Sequence, residues 1–233
     1  MAPDNFVNVP VTSRNMDRWI VRLSILRAIE RALPRFSGSL LDVGCGKMPY
    51  RDFILRNSAV RSYTGLDIES ALVYDESVKP DITWNGREMP FAGASFDCVL
   101  NTEVFEHTPE LRSLLAETKR VLKPGGLLFF TTPFVWPYHE TPHDNQRWTS
   151  FALESELNAA GFHSVEIELV GNWHSSLAQF LGLWCARAPI PRLLRAALRY
   201  PLFGLQRWLM TYDGNSKPEE NAMPRMLAGT ARS

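Results

Sequence analysis

The stretch LLDVGCG, from Leu40 to Gly46, decides the fold. Its apolar residues make a run too short for a helix and suited to a buried strand. The run breaks at Gly44 and Gly46, where the backbone can turn sharply and approach a ligand with no Cβ in the way. A dinucleotide fingerprint needs a third glycine further on, but Met48 and Pro49 occupy that region. The loop is therefore expected to take a ligand that makes no pyrophosphate demand on a helix N-terminus.

Working outward, SYTGLDI (residues 62–68), SFDCVL (95–100) and LLFFTT (127–132) repeat the same short apolar pattern, and SVEIELV (164–170) alternates with period two. Helices are predicted between them. Trp19, Leu23, Leu26, Ile29 and Leu33 recur at helical spacing over residues 15–33, closed by Pro34 and Gly38. In TPELRSLLAETKRVLKPGG (108–126), Thr108 reads as an N-cap, Pro109 as the first helical residue and Pro124-Gly125-Gly126 as the stop. A third helix runs from about Ser150 to Ala160 and ends at Gly161. Strands alternating with helices imply an α/β fold, a doubly wound parallel sheet with helices on both faces. Such sheets bind ligands at the carboxyl ends of their strands, so the loops after the strands carry the chemistry. Asp67 ends the second strand, where an acid can accept hydrogen bonds from both hydroxyls of a ribose.

The totals narrow the classes. The 233 residues suit one domain, and 25 basic against 25 acidic residues give no bias toward nucleic acid. Cys45, Cys98 and Cys185 are an odd set without metal or redox spacing, read as buried thiols in a reducing compartment. The polar N-terminus lacks the apolar core of a signal peptide, and no run approaches a membrane span, so a cytoplasmic location is expected.

LLDVGCG, YTGLDI, REMPFAGASFDCVLNTEVFEH (87–107) and RVLKPGGLLFFTTP (120–133) resemble the successive motifs of class I S-adenosylmethionine-dependent methyltransferases, of the type 11-like kind. The resemblance covers roughly residues 40–170. It implies a Rossmann-like, three-layer αβα fold with a seven-stranded sheet whose last strand, in PRMLAGTARS (224–233), is antiparallel. It also implies S-adenosylmethionine as cofactor. Gly44, Cys45 and Gly46, preceded by Asp42, would pass beneath the methionine part, and Asp67 would hold the ribose hydroxyls. Ile68 would pack on adenine, Asn85 would face its amino group, and Asn101 and Thr102 would lie beside the methionine moiety.

An acceptor hydroxyl needs a base, and His107 after the fourth strand is one candidate, with Glu106 orienting it; structural packing is the alternative. A second source is WPYHETPHDNQRW (136–148), which spells His-Glu-x-x-His in His139, Glu140 and His143. On a helix that string would bind zinc. Pro142 within it would lack a helical N–H and clash with the carbonyl of Tyr138, so no metal is expected. The stretch reads instead as an acceptor-facing loop. His139 and His143 are further base candidates, and Tyr138, Glu140, Asp144, Arg147 and Trp148 are candidates for acceptor recognition. Trp136, Tyr138 and Trp148 either stack on a sugar or pack between loop and sheet. The loop resembles that of a methyltransferase subgroup associated with bacterial cell-envelope polysaccharide synthesis, in which an acid and an arginine recur at Asp144 and Arg147.

Between Val170 and Tyr212 no acid occurs, while Arg187, Arg192, Arg195, Arg199 and Arg207 interleave with Leu, Phe and Trp. This insertion of one or two helices reads either as a cap or as a peripheral contact, through 173–210, with an anionic membrane's inner face. The chain is thus divided into an N-terminal helical segment (1–38), a cofactor-binding core (39–170), the insertion (171–220) and a terminal strand (221–233). The expected function is O-methylation of a small molecule, or of a saccharide or lipid-linked envelope precursor. The alternative is a non-catalytic cofactor-binding or membrane-adaptor module. Nucleic acid is not an expected partner, since NTEVFEH lacks the motif used on base amines.

Overall fold

In a computed structural model that describes residues 6–69 and 78–233, every apolar run read above is a strand. The reading of the N-terminus as polar includes residues 1–5, which lie outside the described residues. The strands are β1 (Ser37–Val43), β2 (Ala59–Ile68), β3 (Ile82–Trp84), β4 (Phe96–Thr102), β5 (Leu122–Pro133), β6 (His163–Val170) and β7 (Met226–Arg232). They form one sheet in the order β3-β2-β1-β4-β5-β7-β6. Neighbours from β3 through β5 pair parallel, whereas β7 is antiparallel to both β5 and β6. The order reverses between β1 and β4, so the loops after these strands diverge and leave a crevice.

Helices cover both faces: α1 (Trp19–Ala32) and α2 (Arg51–Asn57) on one, α3 (Leu111–Val121) and α4 (Ser150–Ala159) on the other. In α3 the buried positions Leu111, Leu114, Leu115, Thr118 and Val121 follow the three- and four-residue steps of one helix face. They pack on Val99, Leu128 and Phe130 of the sheet. On the other face Ile25, Ile29 and Ala32 of α1 meet Leu40, Leu100 and Phe129. Fully burying each large apolar side chain contributes about 1.5–3 kcal/mol, which makes these two layers the main source of cohesion.

Thr108 is not the cap of α3. The helix starts at Leu111, and the Thr108 hydroxyl instead donates to the Val104 carbonyl at 3.1 Å. Thr108 closes a short 3₁₀ turn over Phe105–His107, its amide donating to the Phe105 carbonyl, and Glu110 stands at the N-cap position of the helix. Thr149, by contrast, caps α4 by accepting from the Ala152 amide. Neither α2 nor the three-residue β3 is visible as a periodic pattern in the sequence.

Two further helices, α5 (Trp173–Arg187) and α6 (Arg192–Leu209), stand between β6 and β7 in chain order. They pack on the first turns of α1 through Met16, Trp19, Ile20, Ala178 and Leu209. Gly182 permits the approach: a Cβ there would lie 2.0 Å from the Met16 carbonyl oxygen. The buried Gln206 amide donates to the carbonyls of Met16 and Ala178 at 2.9 and 2.7 Å, tying all three segments.

Candidate functional site

The candidate cofactor side, at the ends of β1 and β2, is made largely of backbone. Gly44 and Gly46 both have positive φ, 70° and 49°, and a Cβ on Gly44 would meet Val104 at 2.4 Å. The amides of Gly44 and Cys45 donate to the Leu66 carbonyl, which locks the loop against the end of β2. Asp67 accepts from the amides of Gly46 and Ile68, both at 2.8 Å, while burial raises its pKa. Ile68 is 41% exposed beside Gly86, an apolar surface at a polar strand end.

Two buried groups here have unmet hydrogen bonds. Asp42 accepts a 2.5 Å hydrogen bond from Tyr63 on one oxygen, but its Oδ1 has no partner, and burial pushes its pKa up to about 7. Asn101 is 1% exposed, yet neither its amide nitrogen nor its oxygen is satisfied. Orphaned buried polar atoms cost about 1–3 kcal/mol each, so a polar ligand at these strand ends has a structural reason to bind. Thr102 is half-buried at the end of β4, and Cys45 is a buried free thiol whose pKa is pushed up by burial. Asn85 is exposed after β3, and its side-chain oxygen is taken by the amides of Arg87 and Glu88, a turn role.

The candidate acceptor side is made of side chains brought together from two loops. After β4, Glu106 is 0% exposed, and its Oε1 lies 3.8 Å from His107 Nε2 and 3.9 Å from His139 Nε2. The two imidazoles meet edge-to-face with centroids 4.6 Å apart. Burial lowers the pKa of both histidines and raises that of Glu106 well above the carboxylate range, with the Glu103 charge adding to the rise. Glu103 is itself pushed to about 7 by burial, although the Thr131 hydroxyl donates to it.

The loop after β5 is held onto this turn. The amides of Asn145 and Gln146 donate to the Glu106 carbonyl, and their side chains donate to the carbonyls of His107 and Thr108. Asp144 and Arg147 form a two-armed ion pair at 2.5 and 2.8 Å, and Arg147 reaches the carbonyls of Trp136 and Pro137. Burial would raise the Asp144 pKa, but the Arg147 bonds and charge and the His139 amide outweigh it and hold it at about 2. This pair shapes the loop. Trp148 donates to the Phe105 carbonyl and packs on the core, while Tyr138 is 86% exposed. Glu140 is half-buried, with its Oε2 3.7 Å from His107 Nε2 and the Asp67 charge near enough to raise its pKa after burial itself.

The His-Glu-x-x-His string is not a unit. Its segment is not helical, and the exposed His143 contributes its carbonyl to His107 Nδ1 at 3.1 Å, not its ring to the cluster. The structure therefore unites His107, His139 and Glu140 and leaves the His143 ring outside. Sequence reasoning gave Glu106 only a supporting part, though it sits at the centre; the signal was an acid beside His107 directly after a buried strand.

Residues 41–130 match the family described as Methyltransferase domain. The chain is 26% identical over 144 residues to a fatty-acid O-methyltransferase of Mycolicibacterium smegmatis, spanning 59% of this chain and 50% of that protein. It is 35% identical over 183 residues to phthiotriol/phenolphthiotriol dimycocerosates methyltransferase 1 of Mycobacterium ulcerans, spanning 74% of this chain and 62% of the relative. Its fold is similar to that of a SAM-dependent methyltransferase from Archaeoglobus fulgidus, with a TM-score of 0.57 at 15% identity over 92% of this chain and 94% of the other. The glycine loop, the acid ending β2 and the antiparallel seventh strand agree with these matches: residues 41–130 match a methyltransferase-domain family, and the sheet as a whole has the fold of a SAM-dependent methyltransferase.

Proposed function

We propose that the protein transfers a methyl group from S-adenosylmethionine to an oxygen of a lipid or lipid-linked acceptor. The observation that carries the reading is the Glu106–His107–His139 cluster, which stands one loop from the orphaned Asn101 and the glycine turn. The cofactor-side residues fit S-adenosylmethionine. Its charged methionine end would satisfy Asp42 Oδ1 and the Asn101 amide, its ribose hydroxyls would take Asp67, and its adenine would cover Ile68. When bound, the cofactor supplies a sulfonium methyl for in-line displacement, a reaction that needs alignment above all.

The chain's own residues then handle the acceptor and its proton. The His143 carbonyl takes the Nδ1 hydrogen of His107, which leaves the Nε2 lone pair free toward the acceptor side. With its pKa lowered by burial, His107 is neutral at pH 7 and can accept the hydroxyl proton as the O–C bond forms, a contribution of about 10²–10⁴-fold. Phe105 and Trp148 back the turn with apolar surface.

The lipid character of the acceptor rests on two supports. The relatives above are named for fatty-acid and phthiotriol substrates, not for polysaccharides. The α5–α6 pair also exposes Phe180, Leu193, Tyr200 and Trp208 among arginines. Beside them a cavity of about 370 Å³ is lined by Arg14, Arg18, Arg187, Arg195 and Arg199 and by Asp17, which pairs with Arg18 and Arg187; the lining stays net positive, which suits an anionic headgroup. No helix of the described residues is long and apolar enough to cross a membrane, so contact would be at the surface.

Incubation with methyl-labelled cofactor and a bacterial envelope lipid extract tests the reading. A labelled lipid in the organic phase is expected. Cofactor binding without label in any lipid or lipid-linked glycan would overturn it in favour of a non-catalytic binding module.

A further inference from the structure

The Glu106–His107–His139 cluster has the geometry of a metal site. One ligand atom from each residue lies within 4.8 Å of the other two. The Nε2–Oε1 separations of 3.8 and 3.9 Å are too long for hydrogen bonds, so no shared proton holds the groups together. Ligand atoms about 2.0–2.2 Å from one cation lie roughly 3–4 Å from one another, which is the spacing of Glu106 Oε1 from each imidazole. Glu106 Oε1 is buried and has no hydrogen-bond partner, a group left unsatisfied until something cationic meets it.

The surroundings orient both rings for ligation. His107 Nδ1 is held by the His143 carbonyl at 3.1 Å. His139 Nδ1 faces Asp144 Oδ2 at 3.3 Å, off-axis for a full hydrogen bond, and Arg147 fixes that carboxylate. An imidazole whose Nδ1 is engaged by a carbonyl or carboxylate presents Nε2 to a metal, the usual outer arrangement of metal-bound histidine. Glu140 Oε2, 3.7 Å from His107 Nε2, is placed to complete one more position. We propose that Glu106, His107 and His139 bind one divalent first-row transition cation, with Glu140 at its margin and the remaining positions open to an acceptor oxygen.

Two nitrogens and one or two carboxylates favour Zn²⁺, Mn²⁺, Fe²⁺ or Co²⁺ over Mg²⁺ and Ca²⁺, which prefer oxygen alone. The expectation of a metal-free site rested on the broken helix of the His-Glu-x-x-His string. The site arises differently, with one histidine of that string joined to the Glu-His pair after β4. The cation's catalytic role rests on the methyl-transfer reading; its binding does not. Ligation takes up the Nε2 lone pair with which the metal-free His107 acts as base, so the two roles belong to different forms, and in the bound form the cation would act on the acceptor as a Lewis acid instead. The acceptor oxygen coordinates, its O–H bond breaks with the proton leaving to water, and its lone pair forms the bond to the methyl carbon. The C–S electrons return to sulfur.

The test uses the full chain, stripped with EDTA and titrated with Co²⁺ by visible absorption and with Zn²⁺ by calorimetry. One equivalent per chain is expected, with micromolar or tighter affinity. His107→Ala and His139→Ala should each weaken binding by about 10–100-fold or more, whereas His143→Ala should stay within about twofold because its carbonyl remains. S-adenosylhomocysteine binding reports whether each variant is folded. Should either alanine variant fail there, Glu106→Gln, of the same shape without the charge, must show the loss instead. No binding by the unsubstituted chain at about 100 μM cation, or equal binding by these variants, would overturn the proposal. Metal binding without S-adenosylhomocysteine binding would sink the methyltransferase reading and leave the site standing.

Discussion

The two halves of the site are built by opposite means. At the ends of β1 and β2 the work falls to backbone: two left-handed glycines, amides turned onto one carbonyl and a carboxylate accepting from two amides. At the ends of β4 and β5 it falls to side chains, with Glu106 and His107 meeting His139 and Glu140 from more than thirty residues away. Apart from Asp42, Asp67, Ile68 and Asn101, the first half should thus tolerate many side-chain changes and fail on an added Cβ. The second should do the reverse.

Gly44→Val would break the contrast most severely. A left-handed β-branched residue costs about 1–2 kcal/mol, and the clash with Val104 adds about 1–3 kcal/mol. Calorimetry should show S-adenosylhomocysteine binding reduced on the order of 100-fold, with the histidine cluster's residues untouched. Asp144→Ala comes next. It strands Arg147 and frees the loop, so methyl transfer should fall about 10- to 100-fold while cofactor binding stays within about twofold. If both activities fell together, the halves would not be separable.

A pH titration sharpens the same point. The folded Asp144 pKa of about 2 lies below that of the unfolded chain, so its contribution to stability is full above pH 4 or so and is lost as pH falls toward 2. Acid unfolding followed by circular dichroism should be less steep over this window in Asp144→Asn. The smallest effect belongs to Thr149→Ala, which removes the cap of α4 beyond the acceptor loop. It should cost about 1 kcal/mol and lower Tm by roughly 2–4 °C, with both binding functions intact.

The same contrast explains what was legible in the sequence. The glycine turn and the end of β2 depend on local chemistry, so Gly44, Gly46 and Asp67 stood out from their spacing as candidates, and the sheet followed from runs such as LLFFTT. Asn85 shows the limit even there, because its side chain serves a turn. The acceptor half depends on contacts between distant residues, which no spacing encodes. His143 and His139 look equivalent in the sequence, but only the fold puts one ring inside the cluster and one outside. Thr108 misled for a related reason: it closes the 3₁₀ turn before it and does not cap the helix after it.

The place of β7 has a consequence for how the molecule is made. It is the seventh strand in chain order, yet it lies between β5 and β6. Until β7 emerges from the ribosome, β5 and β6 have no common neighbour, and both offer bare hydrogen-bonding edges to other chains. The nascent protein must therefore wait, or be chaperoned, through the synthesis of α5 and α6 before its sheet can close.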